Sequence, residues 1–124
     1  IQLDLVSLDR SEGDDALHIM GICLRQVFRA IAFVGYNGAG QFMVMMENNS
    51  VEFTEVCINR LRSSIRKSEF SNLLEYLYVG TANSTEDGIY EIRSLLRMAM
   101  HRCNNVRKQE KEKREAAQQK ENDA

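Results

Sequence analysis

The 124-residue chain has no proline, no CxxC pair and no long uninterrupted apolar run. A membrane-spanning helix needs about 20 consecutive apolar residues, so we expect no membrane span in this segment. Its three cysteines, Cys23, Cys57 and Cys103, are odd in number and lie far apart. This pattern favours buried, reduced thiols over a disulfide framework or a zinc site, and it is typical of a cytoplasmic protein.

The chain also lacks an excess of charge of either sign. Sixteen basic and 18 acidic residues give a net charge of −2, so we expect neither nucleic acid nor an anionic membrane as a partner. His18 and His101 have no Cys, Asp or His partner at metal-ligand spacing, and we expect them to have surface or packing roles. The chain does not begin with methionine, and we expect it to be a piece of a longer protein.

The spacing of apolar residues predicts the element order β-α-β-β-α-β-α. Strands are predicted at 1–9, 31–36, 41–47 and 73–82, and helices at 15–28, 51–67 and from 83 onward. Asn49 with Glu52, and Asn83 with Glu86, have the spacing of capping boxes. This order predicts an α/β fold, with helices packed on a mixed sheet around a ferredoxin-like core.

Each predicted helix has one apolar face of helical periodicity. The three faces are Leu17, Met20, Leu24, Val27 and Phe28; Phe53, Val56, Cys57, Leu61 and Ile65; and Ile92, Leu95, Leu96, Ala99, Cys103 and Val106. Beyond Val106 the sequence has mixed charge, with alanine as its only apolar residue. We therefore expect a single domain over 1–106, followed by a charged helical extension or tail over 107–124.

A turn made almost entirely of small residues, Asn37-Gly38-Ala39-Gly40, separates the second and third predicted strands. Asn-Gly between two apolar runs is typical of a β-hairpin. A glycine-rich turn at a strand end can also hold a phosphate through its backbone N–H groups. The local pattern leaves both interpretations open.

The stretch RAIAFVGYNGAGQFMVMM (29–46) resembles the signature hairpin of GGDEF domains, the diguanylate cyclases that condense two GTP molecules into cyclic di-GMP. The family pattern is R-x-x-D-x-V-A-R-Y-G-G-D-E-F followed by an apolar strand. Arg29 matches its first arginine, Val34 its valine, Gly38 its first signature glycine and Phe42 its phenylalanine, while Met43–Met46 supply the strand. The likeness implies a nucleotidyl-cyclase-like fold.

Three further segments resemble the same family in the same order. GDDAL (13–17) is similar to G-D-x-x-L at the start of the first helix, and LYVGTA (77–82) is similar to the strand S-I-G-I-A. LLRMAMHRCNNV (95–106) is similar to the terminal helix. The resemblance implies that Asp14, Gly38, Ala39, Gly40 and Gln41 are candidate nucleotide-binding residues.

The departures from the family pattern fall on its catalytic residues. Gly40 and Gln41 occupy the places of the signature Asp and Glu, and Ala39 replaces the second glycine. The first-strand D-x-D aligns with Ser7-Leu8-Asp9, although a shifted register would bring Asp4 closer to the site. Magnesium prefers carboxylate oxygens, so Asp4, Asp9 and Gln41 are only weak metal candidates.

Two other parts of the family pattern are incomplete. Arg29 is a remnant of the inhibitory R-x-x-D motif, because Ala32 replaces its acid. Only Arg10, Ser11 and Glu12 stand between D-x-D and G-D-x-x-L, where the family has a much longer segment. This shortness indicates either a deleted nucleotide-facing loop or one absent from the sequence given.

The sequence therefore predicts a catalytically inactive GGDEF domain with a regulatory or interaction role in bacterial cyclic di-GMP signalling, and no cofactor. An attached sensor or effector domain, a second copy of the chain and GTP bound without turnover are the partners to consider. The expected location is cytoplasmic, including the cytoplasmic part of a membrane sensor. The alternative is a divergent active diguanylate cyclase that uses Mg²⁺. An RNA-binding ferredoxin-like domain is disfavoured by the acidic balance and by the lack of paired aromatics on the hairpin strands.

Overall fold

Strands and helices alternate along the chain in a mixed α/β arrangement. The computed structural model of the chain describes residues 2–3, 10–28, 32–47, 50–69 and 71–123. Its elements are β1 (Gln2–Leu3), α1 (Arg10–Phe28), β2 (Ala32–Tyr36), β3 (Phe42–Met46), α2 (Val51–Arg66), a 3₁₀ helix (Ser71–Tyr76), β4 (Leu77–Tyr78), α3 (Ser84–Asp87) and α4 (Ile92–Asp123). The chain divides into two compact units, Ile1–Leu77 and Tyr78–Ala124.

The strands in the described part of the chain form two separate pairs. β2 and β3 are an antiparallel hairpin in which Ala32 faces Met46 and Tyr36 faces Phe42, so the predicted hairpin is confirmed. β1 pairs with β4 in a second two-stranded sheet. A single mixed sheet is not seen among these residues; most of the first predicted strand, residues 4–9, lies outside them.

The core of the first unit lies where α1, α2 and the inner face of the hairpin meet. Its buried residues are Ala16, Met20, Cys23, Leu24, Phe28, Phe42, Cys57, Leu61, Ile65 and Leu73. The predicted α2 face needs one correction, because Ile58 is buried while Val56 is 43% exposed. At 100° per residue, Ile58 lies beside Leu61 and Ile65, whereas Val56 falls on the far side of Cys57.

Helix α1 begins earlier than predicted, at Arg10 instead of Asp15. The stretch RSEGDD (10–15), between the predicted first strand and first helix, is therefore helical, and GDDAL lies inside the helix instead of opening it. Burial of Ala16 and Met20 in the core outweighs the weak helix propensity of Gly13 and its neighbouring aspartates, because most helical stability in proteins comes from packing of an apolar face.

Helix α2 is capped one residue later than predicted. Ser50 Oγ accepts a hydrogen bond from the backbone N–H of Phe53 at 3.1 Å, so Ser50 is the N-cap. Asn49, the predicted cap, lies outside the described residues. The helix ends at Arg66, with Lys67 as its C-cap, close to the predicted end.

The strand predicted over 73–82 is mostly wrong, because its first half is a 3₁₀ helix and only Leu77–Tyr78 is a strand. A 3₁₀ helix has three residues per turn, so Leu73 and Tyr76 share a face. Leu73 is buried, and Tyr76 packs against the same core. The apolar spacing that suggested a strand therefore serves a tight helical turn.

In the second unit, the single helix predicted from residue 83 is two helices. Asn83 Oδ1 accepts from the N–H groups of Thr85 and Glu86 at 3.0 and 3.1 Å, so Asn83 is the N-cap as expected. Gly88, in the left-handed conformation at φ 65°, then ends α3. Glu86 does not complete the capping box, because the Asn83 N–H donates to Asp87 instead, at 2.9 Å.

An ion pair between Asp87 and Arg102 joins α3 to α4. The Arg102 guanidinium donates to both Asp87 oxygens, at 2.9 and 2.7 Å, and also to the Thr81 carbonyl at 2.9 Å. These bonds from Arg102, together with the Asn83 N–H, lower the pKa of Asp87 to about 2. A bidentate arginine–carboxylate contact of this kind fixes the relative orientation of the two side chains in addition to stabilising them.

Close backbone approach positions α4 against the segment that follows β4. A Cβ at Gly80 would overlap the Ala99 carbonyl oxygen and the Cys103 amide nitrogen. Cys103 Sγ donates to the Tyr78 carbonyl at 3.3 Å. Of the predicted α4 face, Cys103 is buried and Leu95, Leu96 and Ala99 are partly buried, but Ile92 is 65% exposed and Val106 39% exposed, so these two are not part of a buried stripe.

We expect the same substitution to have opposite effects at two glycines. Gly80→Ala should destabilise the protein by about 1–3 kcal/mol, because the new methyl group displaces helix backbone. Gly21→Ala should stabilise it by about 0.5–1 kcal/mol, because Gly21 is inside α1 and its Cβ would meet nothing within 4 Å. Urea unfolding followed by circular dichroism measures both changes, and faster reaction of Cys103 with a thiol reagent reports the Gly80 effect locally. Equal shifts in the two variants would contradict the packing described.

The low pKa of Asp87 predicts a specific loss of stability in acid. A depressed carboxyl pKa contributes stability above the unfolded-state value of about 3.9, and this contribution is lost as pH falls toward the folded-state value of about 2. Between pH 5 and pH 2.5, the wild-type unfolding midpoint should therefore fall further than that of Asp87→Asn. Glu86→Gln, which removes an exposed carboxylate from the same helix, should behave like wild type; matching curves for Asp87→Asn and wild type would refute the role of the pair.

Candidate functional site

The turn between β2 and β3 is held by hydrogen bonds within the hairpin. The N–H of Asn37 donates to the Gln41 carbonyl at 2.8 Å, and the N–H of Gln41 donates to the Gly38 carbonyl at 3.0 Å. Asn37 Nδ2 also donates to Gln41 Oε1 at 2.7 Å. Backbone and side-chain bonds therefore join Asn37 and Gln41 across the base of the turn.

Three successive residues of the turn have left-handed backbone. Gly38, Ala39 and Gly40 have φ values of 83°, 52° and 78°. Positive φ at both central residues of the Gly38–Gln41 turn is the defining feature of a type I′ hairpin turn, which matches the twist of the flanking strands. Ala39 adopts this conformation at a cost of about 1–2 kcal/mol, since its Cβ crowds the following carbonyl.

Two aromatic rings pack against each other at the base of the turn, one at the end of β2 and one at the start of β3. The rings of Tyr36 and Phe42, a cross-strand pair, have centroids 4.9 Å apart. The expectation from the sequence that the hairpin strands lack paired aromatics is therefore wrong, although burial of Phe42 leaves only Tyr36 of this pair exposed. The Tyr36 hydroxyl accepts a hydrogen bond from the N–H of Gly40 at 3.1 Å. Phe42 is buried in the core, so the ring pair connects the turn to the interior of the first unit.

The turn offers little of what a phosphate or a metal ion needs. The N–H groups of Asn37, Gly40 and Gln41 already donate within the hairpin, whereas a phosphate-binding turn presents such groups to its ligand. Residues 37–41 carry no formal charge, and the oxygen of the Gln41 amide accepts from Asn37. The hydrogen bonds that stabilise the bend therefore occupy groups that a nucleotide site would use.

Of the other candidate residues, only Asp14 lies in the described part of the chain. Asp14 is exposed on α1, and no hydrogen bond or ion pair links it to the hairpin in the described part of the chain. Asp4, Asp9 and Arg29 lie outside the described residues. Within the ranges that are described, no three His, Cys, Asp or Glu side chains are arranged to hold a metal ion.

The structure also shows the surroundings of the cysteines and histidines and the character of the helices. Cys23, Cys57 and Cys103 are buried and form no disulfide, as predicted. His18 and His101 are exposed, which agrees with a surface role. Among the helices of the described ranges, none combines the length and apolar character needed to cross a membrane.

Two surfaces near the hairpin were not predicted. On the side away from the core, Phe33 pairs with Met45 and Gly35 with Met43, and Phe33 is 65% and Met45 48% exposed; we call these four residues the outer hairpin face. On the core side, a cavity of about 340 Å³ lies between α1 and the hairpin. Strict alternation along β2 and β3 could have indicated the first, but no sequence signal marks the second.

Comparison of the chain with protein-family models, curated proteins and solved structures gives no match. The likeness to GGDEF domains therefore depends on the quoted residues and on their order along the chain, and it stays a prediction. The class defined directly by the fold is a mixed α/β protein with an antiparallel hairpin.

The hydrogen bond from Gly40 to Tyr36 predicts a measurable contribution to hairpin stability. Tyr36→Phe keeps the ring contact with Phe42 but leaves the buried Gly40 N–H without this acceptor, so we expect a loss of about 1 kcal/mol. Tyr90→Phe removes a hydroxyl from a tyrosine that is 79% exposed and should be neutral. Urea unfolding compares the variants; equal midpoints for Tyr36→Phe and wild type would rule out this contribution.

Proposed function

We propose that the chain is a degenerate GGDEF domain with a regulatory or interaction role in cyclic di-GMP signalling, and that it does not turn over GTP. The observation that carries the proposal is the neutral, internally hydrogen-bonded turn over Asn37–Gln41. It stands where the resemblance places the catalytic carboxylates.

The charge of the turn supports loss of catalysis. In phosphoryl transfer, two metal ions polarise the attacking oxygen and neutralise charge on the phosphoryl group. Carboxylates hold such ions because they bring negative charge as well as oxygen ligands. Gly40 has no side chain, and Gln41 supplies a neutral oxygen that is bonded to Asn37. At Gly40 and Gln41 the turn therefore lacks the negative charge that would attract a metal ion, and its side-chain oxygen is already hydrogen-bonded.

The outer hairpin face supports an interaction role. Phe33 and Met45 are adjacent across the strands and largely exposed, and exposed apolar patches are common at protein contacts. Methionine adapts its shape to a partner because it is unbranched and flexible. An attached sensor or effector domain, or a second copy of the chain, is the partner that we propose for this face.

The proposal predicts that the purified chain makes no cyclic di-GMP. After incubation with GTP and either Mg²⁺ or Mn²⁺, liquid chromatography should detect only GTP at the level of an enzyme-free sample, because the turn lacks carboxylates to hold the metals. An active diguanylate cyclase assayed in parallel shows that the conditions permit the reaction. Product that forms with wild type and is lost in Gln41→Ala would establish the alternative, a divergent active cyclase.

Calorimetric titration with GTP then distinguishes a domain that senses GTP from one that acts only through protein contacts. Saturable binding that is weakened by Asp14→Asn indicates a regulator that senses GTP. Absence of binding indicates a domain that acts through protein contacts alone. Asp15→Asn is the matched control, because Asp15 is the exposed neighbour of Asp14 on α1.

A further inference from the structure

The cavity between α1 and the hairpin lacks a side chain on one wall. Gly21 of α1 lines it, and a Cβ at Gly21 would meet nothing within 4 Å. Gly35 of β2 lines it through its backbone, because a Cβ there would contact Phe33 and Met43 of the outer hairpin face. The space is therefore open at Gly21, where a larger residue would be sterically tolerated.

The remaining walls are largely apolar. Leu24, Val34 and Phe42 line the cavity beside the Tyr36 ring. Its volume of about 340 Å³ lies at the lower end of the range of small-molecule sites, about 300–1,000 Å³. An enclosed apolar cavity of about 150 Å³ is large enough for benzene, and this cavity, which is open to solvent on one side, has a volume sufficient for two fused rings.

One charged residue lines this apolar space. Arg25, in the last turn of α1, contributes to the wall, and within the described residues its guanidinium has no hydrogen bond or ion pair. An arginine fork pairs with a carboxylate through two parallel hydrogen bonds. The combination of an apolar space and an unpaired guanidinium is complementary to a ligand that is apolar at one end and anionic at the other.

We propose that this cavity binds a small apolar carboxylate, with its ring system against Leu24, Val34 and Phe42 and its carboxylate paired with Arg25. The ligand belongs to the class of aromatic or short branched carboxylic acids. Binding does not depend on the proposed GGDEF function, because none of the residues involved is a candidate for catalysis or nucleotide binding apart from Phe42, a signature match that also belongs to the core.

The test uses 2-naphthoate and its neutral counterpart 2-naphthalenemethanol as probes, titrated by calorimetry against the intact chain. Wild type should bind naphthoate about threefold more tightly than the alcohol, since Arg25 is exposed and an ion pair with an exposed arginine favours the acid only modestly. Arg25→Gln should remove this preference and leave the weaker apolar binding in place. Arg62→Gln, which changes an exposed α2 arginine outside the cavity, should retain it.

A cavity-filling variant tests the position of the apolar part. Gly21→Leu should weaken both probes at least tenfold, because its side chain occupies the same space, and Gly21→Ala should weaken them less. Circular dichroism establishes that each variant is folded. The proposal is overturned if wild type binds acid and alcohol equally, or if naphthoate binding survives both Arg25→Gln and Gly21→Leu.

Discussion

Burial of one face of α1 is the constraint on which the first unit depends. Met20, Leu24 and Phe28 follow one another at four-residue spacing, and all are almost completely buried. Helix α2 and the inner face of the hairpin both pack against this helix. Each fully buried side chain of this size contributes about 1.5–3 kcal/mol by leaving water. The bend at Gly38–Gly40 is therefore presented by strands whose position α1 determines.

Elements with strong local patterns were predictable from the sequence, and those fixed by tertiary contacts were not. The hairpin and α2 agree with the predicted bounds to within a residue or two, because alternation, Asn-Gly and helical spacing all act locally. The 3₁₀ helix over Ser71–Tyr76 and the break at Gly88 were missed. The 3₁₀ helix forms because Leu73 packs into the core. The break occurs because Gly88 has left-handed backbone and ends α3, although the apolar spacing of the sequence continues past it.

The candidate site was predictable in shape but not in its internal bonding. Asn-Gly indicated the bend, and the departures at Gly40 and Gln41 indicated its lack of charge. The Tyr36 hydroxyl accepts from the Gly40 N–H, and the Gln41 carbonyl accepts from the Asn37 N–H. These bonds could not be read from the sequence, because they depend on the left-handed backbone of three successive residues. The cavity also left no pattern, since Gly21 and Arg25, although one turn apart on the same face of α1, form a common wall only when β2 packs beside them.

The Arg102–Asp87 pair has a mechanical consequence for α4. This helix continues without a break for 21 residues past Arg102, to Asp123, a length of about 30 Å at 1.5 Å per residue. Its far part is covered with exposed, mostly charged or polar side chains. A change of 10° in helix direction at the pair moves the distal end by about 5 Å over that length. The ion pair therefore lies where the long exposed part of α4 begins, so the direction set at this contact fixes the position of side chains about 30 Å away.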